Sequence, residues 1–138
     1  MADALKISGD NALTLLEMLP SWGNTTTIVI HGGCVFEYKG DFPKGSLAHG
    51  FYNLGNGGKG FEGHLKLENI STITLQTKQH RGRDSYAFVF ETVDSETLFK
   101  VFLGRDSSGE LLAHQVQAFK TIQANVEANH LFNQGIAL

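Results

Sequence analysis

From Thr25 onward the chain is a succession of short apolar runs, most alternating with polar positions at a period of two. "TTTIVI", "CVFEY", "HGFYNL", "HLKL", "TITLQT", "SYAFVFET" and "TLFKVFL" are rich in β-branched and aromatic residues. Stretches such as "HGG", "KGDFPKGS", "GNGGKG", "HRGRDS" and "VDSE" separate them. That texture predicts strands, and connections this short join antiparallel neighbours, because a parallel crossover needs roughly a dozen residues. The two ends read differently. "DNALTLLEML", residues 10–19, favours a helix capped by Asp10 or Asn11 and stopped by Pro20. In "SGELLAHQVQAFKTIQANVEANHLF", Leu112, Val116, Phe119, Ile122 and Val126 recur on one helical face. Ser107 or Ser108 suits its cap, and Glu110 suits the positive end of its dipole. The predicted fold class is α+β: a large antiparallel β-sheet with N- and C-terminal helices packed on it, in a single domain over residues 1–138.

The faces of these strands carry more information than their order. Extended, "GFEGHLKLENI" (residues 60–70) puts Leu65 and Leu67 on a core face and His64, Lys66 and Glu68 on the other. In "SYAFVFET" Tyr86, Phe88 and Phe90 oppose Ala87, Val89 and Glu91, so neither face is cleanly polar. An antiparallel sheet with one wet face shows hydrophobic-in, polar-out alternation. Its failure here predicts that the second face is covered as well, by a partner subunit or a ligand.

Composition narrows the function. With 41% hydrophobic and 18% charged residues and a formal net charge of -3, the chain has an ordinary globular profile. No basic cluster is present to meet a phosphate backbone, which argues against nucleic acid. Cys34 is the single cysteine, so no intrachain disulfide forms and a reducing compartment is expected. It is expected to be an inert, half-buried strand residue. The N-terminus lacks the basic start and apolar run of a signal peptide, and no stretch approaches the ~20 apolar residues of a membrane span. A cytoplasmic location is expected. No G-x-S-x-G elbow, Walker A loop or H-E-x-x-H pair occurs. "GNGGKG" is followed by "FEGHLKL" rather than by a helix, so it predicts a mobile hairpin turn and not a phosphate cradle. The chain therefore does not read as an enzyme.

Six histidines remain to be weighed. His114 falls off the apolar stripe of the last helix and His130 lies near the C-terminus, so both are expected in solvent. His80 belongs to a basic turn with Lys78, Arg81 and Arg83. His31, His49 and His64 lie at or near strands, and no pair has the tight spacing of a zinc site. Haem asks for less: one or two axial ligands, an apolar slot, and cations for its propionates. His64 with Lys66 two residues on, beside aromatic-rich strands, supplies those parts, and Arg83 is a further cation. The competing reading makes Lys66 and Glu68 a cross-strand ion pair on a wet surface.

"WGNTTTIV", "FPKGSLAHGFYNL", "GHLKLENI" and "LFKVFLGRDSSGELLAHQVQAF" together resemble the HutX/ChuX family of haem-utilisation proteins, colinearly over roughly residues 20–125. The resemblance implies a fold similar to one half of the larger cytoplasmic haem-handling proteins. It also implies a homodimer in Gram-negative cytoplasm that binds haem as cargo, and stores it or delivers it to a haem-degrading enzyme. His64 matches the family's strand histidine and is the candidate axial ligand to the haem iron. His31 lies where the family carries a second candidate, one position displaced. Gly32 and Gly33 offer a bulge that would re-aim it. His49 matches a variable family histidine, and the segment before Trp22 is expected to be shorter than the family's usual leader. The expected haem-binding set is His64, His31 and Lys66. The alternatives are a haem-degrading or haem-reducing enzyme using the same cleft, and a dimeric scaffold that binds no haem.

Overall fold

The computed structural model describes residues 5–55 and 57–127. Among them the strands are β1 (Leu5–Ser8), β2 (Asn24–His31), β3 (Cys34–Asp41), β4 (Gly45–Ala48), β5 (Phe51–Leu54), β6 (Gly63–Leu65), β7 (Thr72–His80), β8 (Arg83–Glu91) and β9 (Thr97–Leu103). The helices are α1 (Ala12–Met18) and α2 (Ala113–Glu127). Every strand pairing is antiparallel. The expected large sheet is present with six strands in the order β1-β7-β8-β9-β2-β3, while β4-β5-β6 separate into a smaller second sheet. The chain leaves the first sheet at Phe42 and Pro43, both buried. Proline has no N–H to continue a ladder, so the break falls where the sequence forbids extension.

One face of the large sheet carries Ile73, Leu75, Phe88, Phe90 and Val101 against the helices. Phe119 of α2 stacks at a tilt on Phe88 and Tyr86, and Trp22 lies against Phe88. On the opposite face Ala87 and Val89 are also buried. Their register neighbours are Gln76 and Phe102 for Ala87, and Thr74 and Lys100 for Val89. Ala87 and Val89 are thus covered by neighbouring strands of their own chain. The double-sided apolarity of β8 therefore does not require a second subunit.

Local signals fix the ends of the elements, not always where the sequence points. Ser8, rather than Asp10 or Asn11, caps the first helical stretch: its Oγ accepts from the Asp10 N–H at 3.1 Å, and a 3-10 turn over Gly9–Asn11 precedes α1. Past Met18 the chain tightens into a 3-10 turn, Leu19–Trp22, that contains Pro20. The last helix starts at Ala113, beyond Ser107 and Ser108, which sit in a turn held by the Asp106 carboxylate. The predicted span beyond Glu127, with His130, lies outside the described residues. Phe119 and Ile122 are buried as the periodicity requires, and Gln115 is buried with them. Its Oε1 accepts from the Gly104 N–H at 2.7 Å, and its Nε2 donates to the carbonyls of Trp22 and Asn24 at 2.9 and 2.7 Å. At Gly104 a Cβ would overlap the Asn24 carbonyl oxygen, so only glycine allows this junction.

Candidate functional site

The small sheet leans its β6 edge toward β2 and β9 of the large one. Between them is a cavity of about 240 Å³ lined by Thr27, Val29, Phe42, Leu54, Phe61, His64, Leu65, Lys66, Ile70, Leu98 and Phe99. Most of this wall is apolar, and three polar side chains face it. Thr27 is buried in β2, and its Oγ1 has no protein hydrogen-bond partner among the described residues. His64 and Lys66 are exposed and stand at the mouth. Aromatic packing supports one side: Tyr38 of β3 stacks on Phe61 with centroids 5.0 Å apart, and Phe42 meets Phe61 edge-on.

The strand carrying His64 is shorter than the alternation predicts. β6 ends at Leu65, and a 3-10 turn over Leu67–Asn69 follows, closed by the Asn69 N–H on the Lys66 carbonyl at 3.0 Å and the Ile70 N–H on that of Leu67 at 2.9 Å. The division of sides survives the change of element. Leu65 and Leu67 are half-buried, Ile70 plugs the floor, and His64, Lys66 and Glu68 face out. Lys66 Nζ lies 3.3 Å from Glu68, so the ion pair is local and solvated, not cross-strand. A pair this exposed contributes little to stability.

His64 is held more firmly. It pairs in register with Asn53 of β5, and its Nδ1 lies 2.6 Å from the Asn53 Oδ1. The Phe51 ring approaches it edge-on, with centroids 6.2 Å apart and planes at 75°. Beneath them Tyr52 is buried against Gly45, where any Cβ would overlap its ring. Burial pushes the Tyr52 phenol above its ordinary range, the Glu17 carboxylate adds to the rise, and a backbone hydrogen bond with Gly45 opposes it.

The other candidates are not gathered here. His31 is the last residue of β2, on the face shared by Thr27 and Val29, but it lies at the hairpin tip beyond the cavity, exposed and paired with Cys34. Gly32 and Gly33 form a tight turn with φ of 57° and 82°, and the register stays regular to its end, so no bulge re-aims His31. His49 sits with φ 56° in the exposed turn between β4 and β5. Arg83 is committed elsewhere, donating to the Gly109 carbonyl at 3.1 Å. Cys34 is exposed, not half-buried. His114 is exposed, yet its Nε2 donates to the Trp22 carbonyl at 2.7 Å. Residues 57–60 of "GNGGKG" form a turn, as expected, and are exposed; Asn56 lies outside the described residues. Asn53 and Thr27 are the site residues that sequence patterning misses. Asn53 stands inside the quoted "HGFYNL", but only the register reveals what it faces.

Residues 5–122 match the model of the family described as haem utilisation ChuX/HutX. The chain is 48% identical, over 117 residues, to the intracellular heme transport protein HutX of Vibrio cholerae serotype O1, a match that covers 85% of this chain and 61% of that protein. The chain thus spans about three fifths of the length of that relative. The solved structure of the heme binding protein ChuX superimposes with a TM-score of 0.82 at 34% identity, covering 91% of this chain and 78% of that one. A heme degrading enzyme of Escherichia coli O157:H7, ChuS, matches with a TM-score of 0.73 at 20% identity, over 87% of this chain and 36% of its own. That second likeness is one of fold.

Proposed function

The chain belongs to the haem utilisation ChuX/HutX family, and from that premise we propose that it is a non-catalytic haem carrier of Gram-negative cytoplasm, binding haem as cargo for storage, trafficking or delivery to a haem-degrading enzyme. The observation that carries this reading is the apolar cavity with His64 at its mouth. A cavity of about 240 Å³ is below the roughly 300–1,000 Å³ of sites that engulf a drug-sized ligand. A macrocycle would therefore insert one edge among Phe61, Leu65 and Phe99 and lay the rest along the hairpin face of Val29 and Phe36. Phe36 is 65% exposed, an unusual position for an aromatic side chain unless something flat covers it.

Within this reading His64 is the axial ligand to the haem iron. Lys66 stands beside it as the cation for a propionate, its exchange from Glu68 made easy by solvent. His31, farther along the same sheet face, is a second imidazole for the outer part of the ring. The buried Thr27 hydroxyl offers a hydrogen bond to a polar atom of the cargo. The carrier reading is favoured over the enzyme reading because the relative at 48% identity is named a transport protein. The likeness to the degrading enzyme reaches only 20% identity. We also infer a homodimer: among the described residues β3 is an unpaired edge of the large sheet, and Ile30 and Val35 are uncovered on the face away from the cavity.

Hemin titration of the His64→Ala protein tests the central claim. The expected result is at least about a tenfold weaker affinity, about 1.4 kcal/mol, with a displaced Soret band. Undiminished affinity with an unchanged band would remove His64 from the mechanism.

A further inference from the structure

We infer that Asn53 is a positioning residue that fixes the tautomer of His64, so that Nε2, not Nδ1, is the nitrogen offered to the iron. The inference deepens the role proposed above for His64 and rests on it. It follows from the arrangement around one amide. Asn53 Nδ2 donates to the carbonyls of Ser46, Ala48 and Phe51, at 3.1, 3.1 and 3.2 Å. Two N–H bonds serve three acceptors, so one is shared. Turning the amide over would set its oxygen against those same three carbonyl oxygens, which excludes the flipped orientation.

With the amide nitrogen so occupied, Oδ1 is left to face His64 Nδ1 at 2.6 Å. Two acceptors at that separation repel, so Nδ1 carries a hydrogen and donates it. A neutral imidazole has a single N–H, and its lone pair then resides on Nε2. Among the described residues Nε2 has no hydrogen-bond partner. The Phe51 ring, set edge-on to the imidazole, limits its rotation. The result is the device by which metal-binding histidines are usually prepared: the far nitrogen donates to an oxygen, which fixes the tautomer and orients the ring. The register pair Asn53–His64 is what joins "HGFYNL" to "GHLKL".

The test has two arms that fail independently. The first is the long-range proton–nitrogen-15 correlation spectrum of the hemin-free full chain, with His64 neutral. Nδ1 is expected at the shift of a protonated ring nitrogen and Nε2 at that of an unprotonated one. The opposite tautomer, or an even mixture, overturns the inference without any variant being made. The second is a double-mutant cycle in hemin affinity. Asn53→Ala is expected to weaken binding about 10–100-fold, and to add no further loss in a His64→Ala background, because it acts only through that ring. An equal loss in both backgrounds would mean that Asn53 merely holds the hairpin, and would also overturn the inference. If His64→Ala alone leaves affinity unchanged, the ligand role falls and with it the part of Asn53 in haem binding. The spectrum then still decides the tautomer.

Discussion

At the scale of single residues, Thr27 sets a polar group in a largely apolar wall. Its hydroxyl is buried in β2 between Tyr38 and Val101 in register, with no protein partner among the described residues. A buried hydroxyl left unpaired costs about 1–3 kcal/mol, whereas valine fills the same shape with nothing to satisfy. Thr27→Val is therefore expected to raise the urea midpoint by an amount equivalent to about 1 kcal/mol and to weaken hemin binding. A lowered midpoint would mean that the hydroxyl is satisfied in the folded chain. The three residues of the expected haem-binding set divide on the same scale. His64 and Lys66 line the cavity, together with Leu65 from the other side of the alternation. His31 lies on the same sheet face as Thr27 and Val29, one position along that face beyond the cavity lining. A period-two pattern fixes which face a side chain takes and says nothing of how far along the strand the cavity extends.

At the scale of elements, the four stretches that carry the family resemblance separate into two physical roles. "WGNTTTIV" and "LFKVFLGRDSSGELLAHQVQAF" meet at a junction: the Trp22 and Asn24 carbonyls and the Gly104 N–H all converge on the buried Gln115 amide. "FPKGSLAHGFYNL" and "GHLKLENI" instead build the small sheet and the mouth of the cavity. Gln115→Ala takes this partner from the Gly104 N–H and the Asn24 carbonyl, while the Trp22 carbonyl keeps His114, and is expected to cost about 2 kcal/mol. Gln115→Glu keeps the volume but turns a carboxylate oxygen onto two carbonyls, so it is expected to fail as well. Urea unfolding of both variants checks this, and a Glu variant as stable as the native chain would show that volume, not the amide, matters there. Helix periodicity alone places position 115 between Leu112 and Phe119, on the buried stripe. Only the polarity of glutamine disguised it. The strand predicted across residues 60–70 fails for the complementary reason. Alternation is satisfied by β6 followed by a 3-10 turn as well as by one long strand, since both keep Leu65 and Leu67 inward.

At the scale of the whole molecule, Ile30 and Val35 at the tip of the β2–β3 hairpin face away from the cavity at 48% and 56% exposure, and Leu47 and Val93 are exposed elsewhere on the surface. If that tip and the open β3 edge form the dimer contact, Val35→Lys is expected to shift the native dimer toward monomer in light scattering, with hemin still bound by each protomer. A wild-type monomer at micromolar concentration would remove the dimer. The sequence by itself determined the α+β class, the antiparallel pairing of short-looped strands, the two terminal helices, and the sides on which His64 and Lys66 stand, because local periodicity and turn chemistry act between near neighbours. Tertiary structure alone decided that β4, β5 and β6 leave the main sheet, that Arg83 turns to Gly109 while His64 turns to Asn53, and that a cavity opens between the two sheets. Those are outcomes of register and of packing between segments far apart in the chain, and no local pattern specifies which distant residue will arrive opposite.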